Sequence, residues 1–230
     1  MNILKRGMVF LTFFGCCFAI ALMAAAMSTK YWMEAKAVQK RINSDTTFEI
    51  RPNSTGHIHF GLFKGKKSLN VGFGMRVHPF DATPRSGQAE FMDYGLWAGT
   101  IACLCLGMLF AVVGALFAVI NTATTPVEAI TGVPGLYVWN TLAALFNLVC
   151  VICWAVQFHA HLTKNVLLYD KDNGWTTEGN EVFGYSFWLV VVAIFVHVAN
   201  ILIIFFGTYE PKVKEQMKAP ESKSGTIMLY

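Results

Sequence analysis

Hydrophobic and polar positions in this 230-residue chain are segregated into blocks rather than interleaved. Four blocks, 7–27, 96–120, 136–158 and 186–206, contain no Lys, Arg, Asp or Glu. About 20 apolar residues of helix cross about 30 Å of hydrocarbon, so each block is long enough to span a bilayer. A helix at the edge of a soluble core would carry a polar face, whereas these blocks are apolar all round. The pattern predicts an all-α membrane protein, a four-transmembrane-helix bundle.

Between the first two spans the period changes. The 68-residue loop 28–95 has short apolar runs at 46–50, 57–63 and 69–77, separated by breaks at 51–56 and 64–68. That spacing predicts a small antiparallel β-sheet over the mouth of the bundle, with Gly72 and Gly74 as bends. Residues 78–90, with two prolines, read as irregular chain returning to the membrane. Loop 121–135 reads as a hairpin closure, 159–185 as a second loop and 207–230 as a polar tail.

Composition agrees with a membrane protein: 55% hydrophobic, 14% charged and a mean hydropathy of +0.48. The net charge of +4 matters less than its placement. Lys5 and Arg6 precede the first span, ten Lys/Arg fall in 28–95, none in 121–135, two in 159–185 and four in the tail. Six acids balance much of the long loop's charge, so no dense basic face for nucleic acid exists. Short basic flanks stay cytoplasmic, whereas long loops translocate largely regardless of charge. Residues 1–6, 121–135 and 207–230 are therefore expected in the cytoplasm, and both loops 28–95 and 159–185 outside. Asn53-Ser54-Thr55 is a glycosylation sequon useful only on that outer side. Lys5-Arg6, the first apolar block and Ala24-Ala25-Ala26 also resemble a secretory signal. The block exceeds the usual 7–15-residue signal core and ends at Tyr31-Trp32, so a retained span is expected.

Tyr94 and Trp97, Tyr137 and Trp139, and Tyr185 and Trp188 stand near the starts of spans two, three and four. Such rings mark membrane edges, where one end can be wet. All six cysteines (16, 17, 103, 105, 150 and 153) lie within spans, where a thiol acts as a small hydrophobe rather than a redox or metal centre. Gly99, Cys103, Gly107, Ala111 and Ala115 recur every four residues and predict a strip for close helix packing, with Gly15 and Ala19 facing it. His197 and Asn200, three apart on one face, are expected to bond across to another helix. Asn140, Asn147 and Gln157 are the polar residues of span three. His159 and His161 point apart on a helix, which argues against a metal pair.

No enzyme constellation is present: no H-E-x-x-H, P-loop or G-x-S-x-G, and no paired intramembrane carboxylates. No catalytic residue, metal, cofactor or small-molecule substrate is expected. The tail ends in Ile227-Met228-Leu229-Tyr230, and Met228 and Tyr230 with a free carboxylate suit strand addition to a PDZ-type groove.

Three segments carry a resemblance. Gly61-Leu62-Phe63-Lys64-Gly65 resembles the G-L-F-[RK]-G element of the clarins. The segment 132–140, with Gly135, Trp139 and Asn140, resembles the clarin lead into span three. Gly184-Tyr185-Ser186-Phe187-Trp188 resembles the clarin opening of span four. The layout is that of the wider claudin and peripheral-myelin-protein group. However, the claudin W…GLW…C…C pattern is missing: Phe63 stands for the second Trp and there is no cysteine pair. The resemblance implies a non-enzymatic plasma-membrane organiser of sensory-cell membrane domains or synapses. Implied contacts are membrane lipid, channel or adhesion proteins, and actin-linked scaffolds. The alternative is a claudin-like adhesion protein or an auxiliary subunit of an ion channel. A transporter or channel in its own right is disfavoured by the lack of charged residues in the spans.

Overall fold

The computed structural model describes residues 3–42, 48–51, 54–70, 72, 74–84, 91–124 and 132–208. Four long helices form the bundle: α1 (Ile3–Ser28), α2 (Tyr94–Ala123), α3 (Val133–Gln157) and α4 (Tyr185–Thr208). A π-helical turn, Phe158–Leu162, prolongs α3. Each element is long and apolar enough to cross a membrane, over Arg6–Ser28, Tyr94–Ala123, Val133–Leu162 and Tyr185–Thr208. These bounds extend the expected blocks by one to four residues at each end. Local chemistry sets them. Asp93 caps α2 by accepting from Leu96 N at 2.9 Å, and Pro134 sits in the first turn of α3 behind the N-cap Gly132.

The buried positions of all four helices step by three and four in alternation. In α2 the repeat is Thr100, Leu104, Gly107, Ala111, Gly114, Ala118 and Asn121, with Ala115 buried beside it; in α4 it is Ser186, Val190, Ala193, His197, Asn200, Ile204 and Gly207, with Phe187 buried beside Ser186. A 3.5-residue repeat is the seam of a coiled-coil-like bundle. This corrects the four-residue strip as a single face. An i+4 row drifts about 40° per step around the helix, so Gly99 and Ala115 stand about 160° apart. Gly99 and Cys103 are accordingly half-buried on the flank toward α3, whereas Gly107, Ala111 and Ala115 are buried.

The outer sheet has the order β2 (Phe48–Ile50), β1 (Met33–Ile42), β3 (Thr55–Phe60), β4 (Lys64–Asn70), β5 (Met75–Asp81), all antiparallel. The second loop contributes a 3₁₀ turn at Leu168–Asn173 and two short strands, β6 (Trp175–Thr176) and β7 (Glu181–Phe183), both paired with β1. The expected antiparallel sheet is present, and Gly72 and Gly74 are its bends, with φ of +95° and +106°. Its strands are drawn differently. Residues 64–68 are no break: in β4, Gly65 and Leu69 turn inward while Lys64 and Lys66 face out. β1 is long because Met33, Ala35 and Ala37 alternate inward between polar neighbours. Residues 78–81 are not irregular but belong to β5, where Pro79 is tolerated because the strand is an edge. One continuous core runs from the seams through Trp154, Phe158 and Leu162 into Trp32, Ile58, Phe60 and Trp175 of the outer domain.

Candidate functional site

The place where the sheet meets the helix ends collects two of the three motif segments. α1 stops at Ser28, and the chain then runs through Thr29–Trp32 into β1. Thr29 Oγ1 is 2.9 Å from Ala25 O, to which it donates, and 2.6 Å from Ser186 Oγ at the start of α4. Gly184 N donates to Trp32 O (3.1 Å), Ser186 N to Tyr31 O (3.0 Å), and Trp32 N to Phe60 O (2.9 Å). The connector is thereby pinned from α4 on one side and from β3 on the other. A Cβ at Gly61 would collide with the Thr29 carbonyl, and one at Gly184 with the Tyr31 carbonyl. Only glycine lets both backbones come that close.

The remaining motif positions divide into those that build this clasp and those that do not. Leu62 is fully buried, and its carbonyl accepts from Trp97 Nε1 of α2 at 2.7 Å. Gly65 lies under the Phe80 ring, which a Cβ would displace. Tyr185 stacks on Tyr31 (4.9 Å), which stacks on His59 (4.3 Å). Phe187 stacks on Phe183, which stacks on Phe158. Phe63, Lys64 and Trp188 are exposed. The second loop is tied in by buried Asn165, whose Nδ2 donates to Trp175 O and whose Oδ1 accepts from Leu167 N and Thr177 N. Lys67 of β4 pairs with Asp170 of the 3₁₀ turn at 2.6 Å. Burial pushes the Glu181 carboxyl of β7 above its usual range, opposed by backbone N–H groups including Gly179.

A second constellation lies mid-bundle. Asn140 Oδ1 of α3 accepts from Asn200 Nδ2 of α4 (3.0 Å) and lies 3.1 Å from His197 Nδ1 and 3.6 Å from Cys16 Sγ of α1. Asn140 Nδ2 turns back to Leu136 O at 2.9 Å. Asn200 also reaches Thr12 O at 3.4 Å. Three helices thus share one carbonyl oxygen in the buried interior of the bundle, where an unmet polar group is costly. Gly15 makes room for Asn200, and Gly107 for Asn147, against which a Cβ would stand at 2.5 Å. Trp139 lies between Phe110 (6.1 Å) and Phe117 (5.9 Å) of α2. Gly135 is buried in the first turn of α3.

Placement of the expected residues follows from this. His197 and Asn200 face one another's partner, Asn140. Of the edge-marking aromatics, Tyr94, Tyr185 and Trp188 are exposed, whereas Trp32 is fully buried edge-on to Trp154 and Trp139 packs within the bundle. His159 leans on Phe183 rather than toward His161 as a pair. The six cysteines are free thiols, and among the described residues no group of three His, Cys, Asp or Glu is placed to hold a metal. Asn53, Met228 and Tyr230 lie outside the described residues. Thr29 and Asn165 are not singled out by their sequence, and Trp32 reads from it as an interfacial ring at the end of the first span. That position, just past the end of the first apolar block, does not distinguish an interfacial ring from the fully buried one that Trp32 is.

Comparison with known proteins agrees with the motifs. The family model described as Clarin-2-like matches residues 5–204. Human (Homo sapiens) Clarin-3 is 25% identical over 229 residues, covering 94% of each chain. Mouse (Mus musculus) Clarin-2 is 26% identical over 203 residues, 86% of each chain, and human Clarin-1 is 23% identical over 218 residues, 93% of each. The chain belongs to the clarin family, within the Clarin-2-like group.

Proposed function

We propose, from clarin membership, that this chain is a non-enzymatic organiser of plasma-membrane domains, with both termini in the cytoplasm and the sheet outside. The observation that supports this most is the clasp at Thr29–Trp32. It makes sheet and bundle one body, so a protein gripping the sheet is held at a fixed place over four membrane helices. Such a device suits positioning of channel or adhesion partners in sensory-cell membranes, with actin-linked or PDZ scaffolds engaging Met228 and Tyr230. One observation favours the alternative reading of adhesion or an auxiliary channel subunit: β5 is an edge strand that exposes Met75 and Val77. An edge of this kind accepts a strand from a neighbour.

The test joins topology and partners. Terminal tags should stay protected in unpermeabilised cells, and Asn53→Gln should remove one glycan shift on a gel. Full chain purified from native membrane should bring down membrane-protein partners, and deletion of residues 228–230 should lose only the cytoplasmic ones. A surface-accessible terminal tag would exclude this orientation. Purification without membrane-protein partners would exclude the organiser reading.

A further inference from the structure

Two residues of the Gly61–Gly65 segment are unexplained by folding. Gly61, Leu62 and Gly65 build the clasp, yet Phe63 and Lys64 point out of it. Both line a groove of about 530 Å³ on the outer flank of the bundle between α1 and α2. Ala24 and Met27 of the last turn of α1 and Met108 of α2 form its apolar wall, and Lys30 joins Lys64 at the rim. Phe63 sits edge-on to Trp97 (6.4 Å) and closes the side of the groove. The acid that faces Lys64 across the sheet register is Asp81, which is not part of the groove lining. The wall lies within two spans, with Ala24 and Met27 in α1 and Met108 in α2, and Lys30 stands two residues beyond the end of the first at Ser28. An apolar slot at tail depth with two ammonium groups at headgroup depth therefore faces lipid.

We propose that this groove is a binding site for a membrane lipid with an anionic headgroup. The acyl chain lies against Ala24, Met27, Met108 and Phe63, and the headgroup meets Lys30 and Lys64. A free anion would satisfy the lysines and leave the wall unused; a zwitterionic lipid would fill the wall and not neutralise the rim. Lysines near a membrane surface favour anionic over neutral lipid by roughly fivefold each.

The experiment uses the full chain in nanodiscs of equal phosphatidylglycerol and phosphatidylcholine, with retained lipid counted by native mass spectrometry after detergent extraction. With two lysines at about fivefold each, phosphatidylglycerol should exceed phosphatidylcholine by about 25-fold. Lys30→Gln with Lys64→Gln should bring the ratio to about one with unchanged helical content and monodispersity. Met108→Trp should fill the slot and lower retention of both lipids. An unchanged ratio in the double lysine variant overturns the proposal. So does competition by inorganic phosphate that matches phosphatidylglycerol, which would assign the rim to a free anion.

Discussion

In the bundle, helices meet through small and polar side chains: Gly107 against Asn147, Gly15 against Asn200, and Asn140 shared by His197 and Asn200. In the outer domain the inner face is apolar, with Met33, Ile58, Phe60 and Trp175, and the polar side chains face out. The difference follows from solvent. Lipid tails are as apolar as leucine, so burying leucine between membrane helices gains little; close backbone approach and hydrogen bonds must hold them. Water outside drives the sheet's apolar face onto the helix ends. At the clasp the two solvents meet, and there main-chain bonds do the joining: Gly184 N to Trp32 O, Ser186 N to Tyr31 O and Trp32 N to Phe60 O.

The sharpest break of this comparison is at the clasp itself. Gly184→Ala places a methyl on the Tyr31 carbonyl, a backbone atom that cannot rotate away. The variant should lose about 3 kcal/mol, the upper end of overpacking effects, and with it most surface delivery. Surface biotinylation against total protein reads this directly. Normal delivery of Gly184→Ala would mean that sheet and bundle are not rigidly joined.

The bundle side is tested at two glycines of the same helix. A Cβ at Gly107 stands 2.5 Å from Asn147 Oδ1, whereas one at Gly99 stands 3.7 Å from Cys153 Sγ, an ordinary contact. Gly107→Leu should therefore cost about 2 kcal/mol by pushing α2 from α3. Gly99→Ala should be neutral, or gain up to about 1 kcal/mol of helix propensity. Thermal unfolding in a fixed detergent compares them. Equal sensitivity at both sites would restore the four-residue strip as one packing face.

The two regions were unequally legible. The spans were plain because twenty apolar residues without charge admit one reading in a membrane. The seam was not, since a strip of small residues at i+4 looks continuous in sequence while the helix rotates it away; only the 3.5-residue spacing of Thr100, Leu104, Gly107, Ala111 and Gly114 carried it. His197 and Asn200 were visible as a shared face, but their partner Asn140 stands 57 and 60 residues away. The sheet was foreseen and its strands misdrawn. Lys64–Asn70 has inward residues Gly65 and Leu69 with little hydrophobic signal, and β1 turns alanines inward among lysines. The clasp was least legible, because its bonds are backbone bonds, which any residue except proline donates. Its one trace was glycine at 61 and 184.

The smallest effects come from paired side chains, one pair in each region, and they separate the two solvents most cleanly. Asn140 and Asn200 are joined by a single hydrogen bond of 3.0 Å, and both side chains are buried, at 1% and 2% exposure. Lys67 and Asp170 are 2.6 Å apart but 24% and 21% exposed, so water and salt reach them. A double-mutant cycle with Asn140→Ala and Asn200→Ala should give a coupling of about 0.6 kcal/mol, typical of interhelical bonds in membranes. The cycle with Lys67→Ala and Asp170→Ala should give at most about 1 kcal/mol in low salt. Raising salt shortens the screening length from about 10 Å at 0.1 M to about 3 Å at 1 M, and should shrink the second coupling while leaving the first unchanged. Equal salt dependence of both would mean that water enters the bundle at Asn140, and the contrast between a dry seam and a wet sheet would fall.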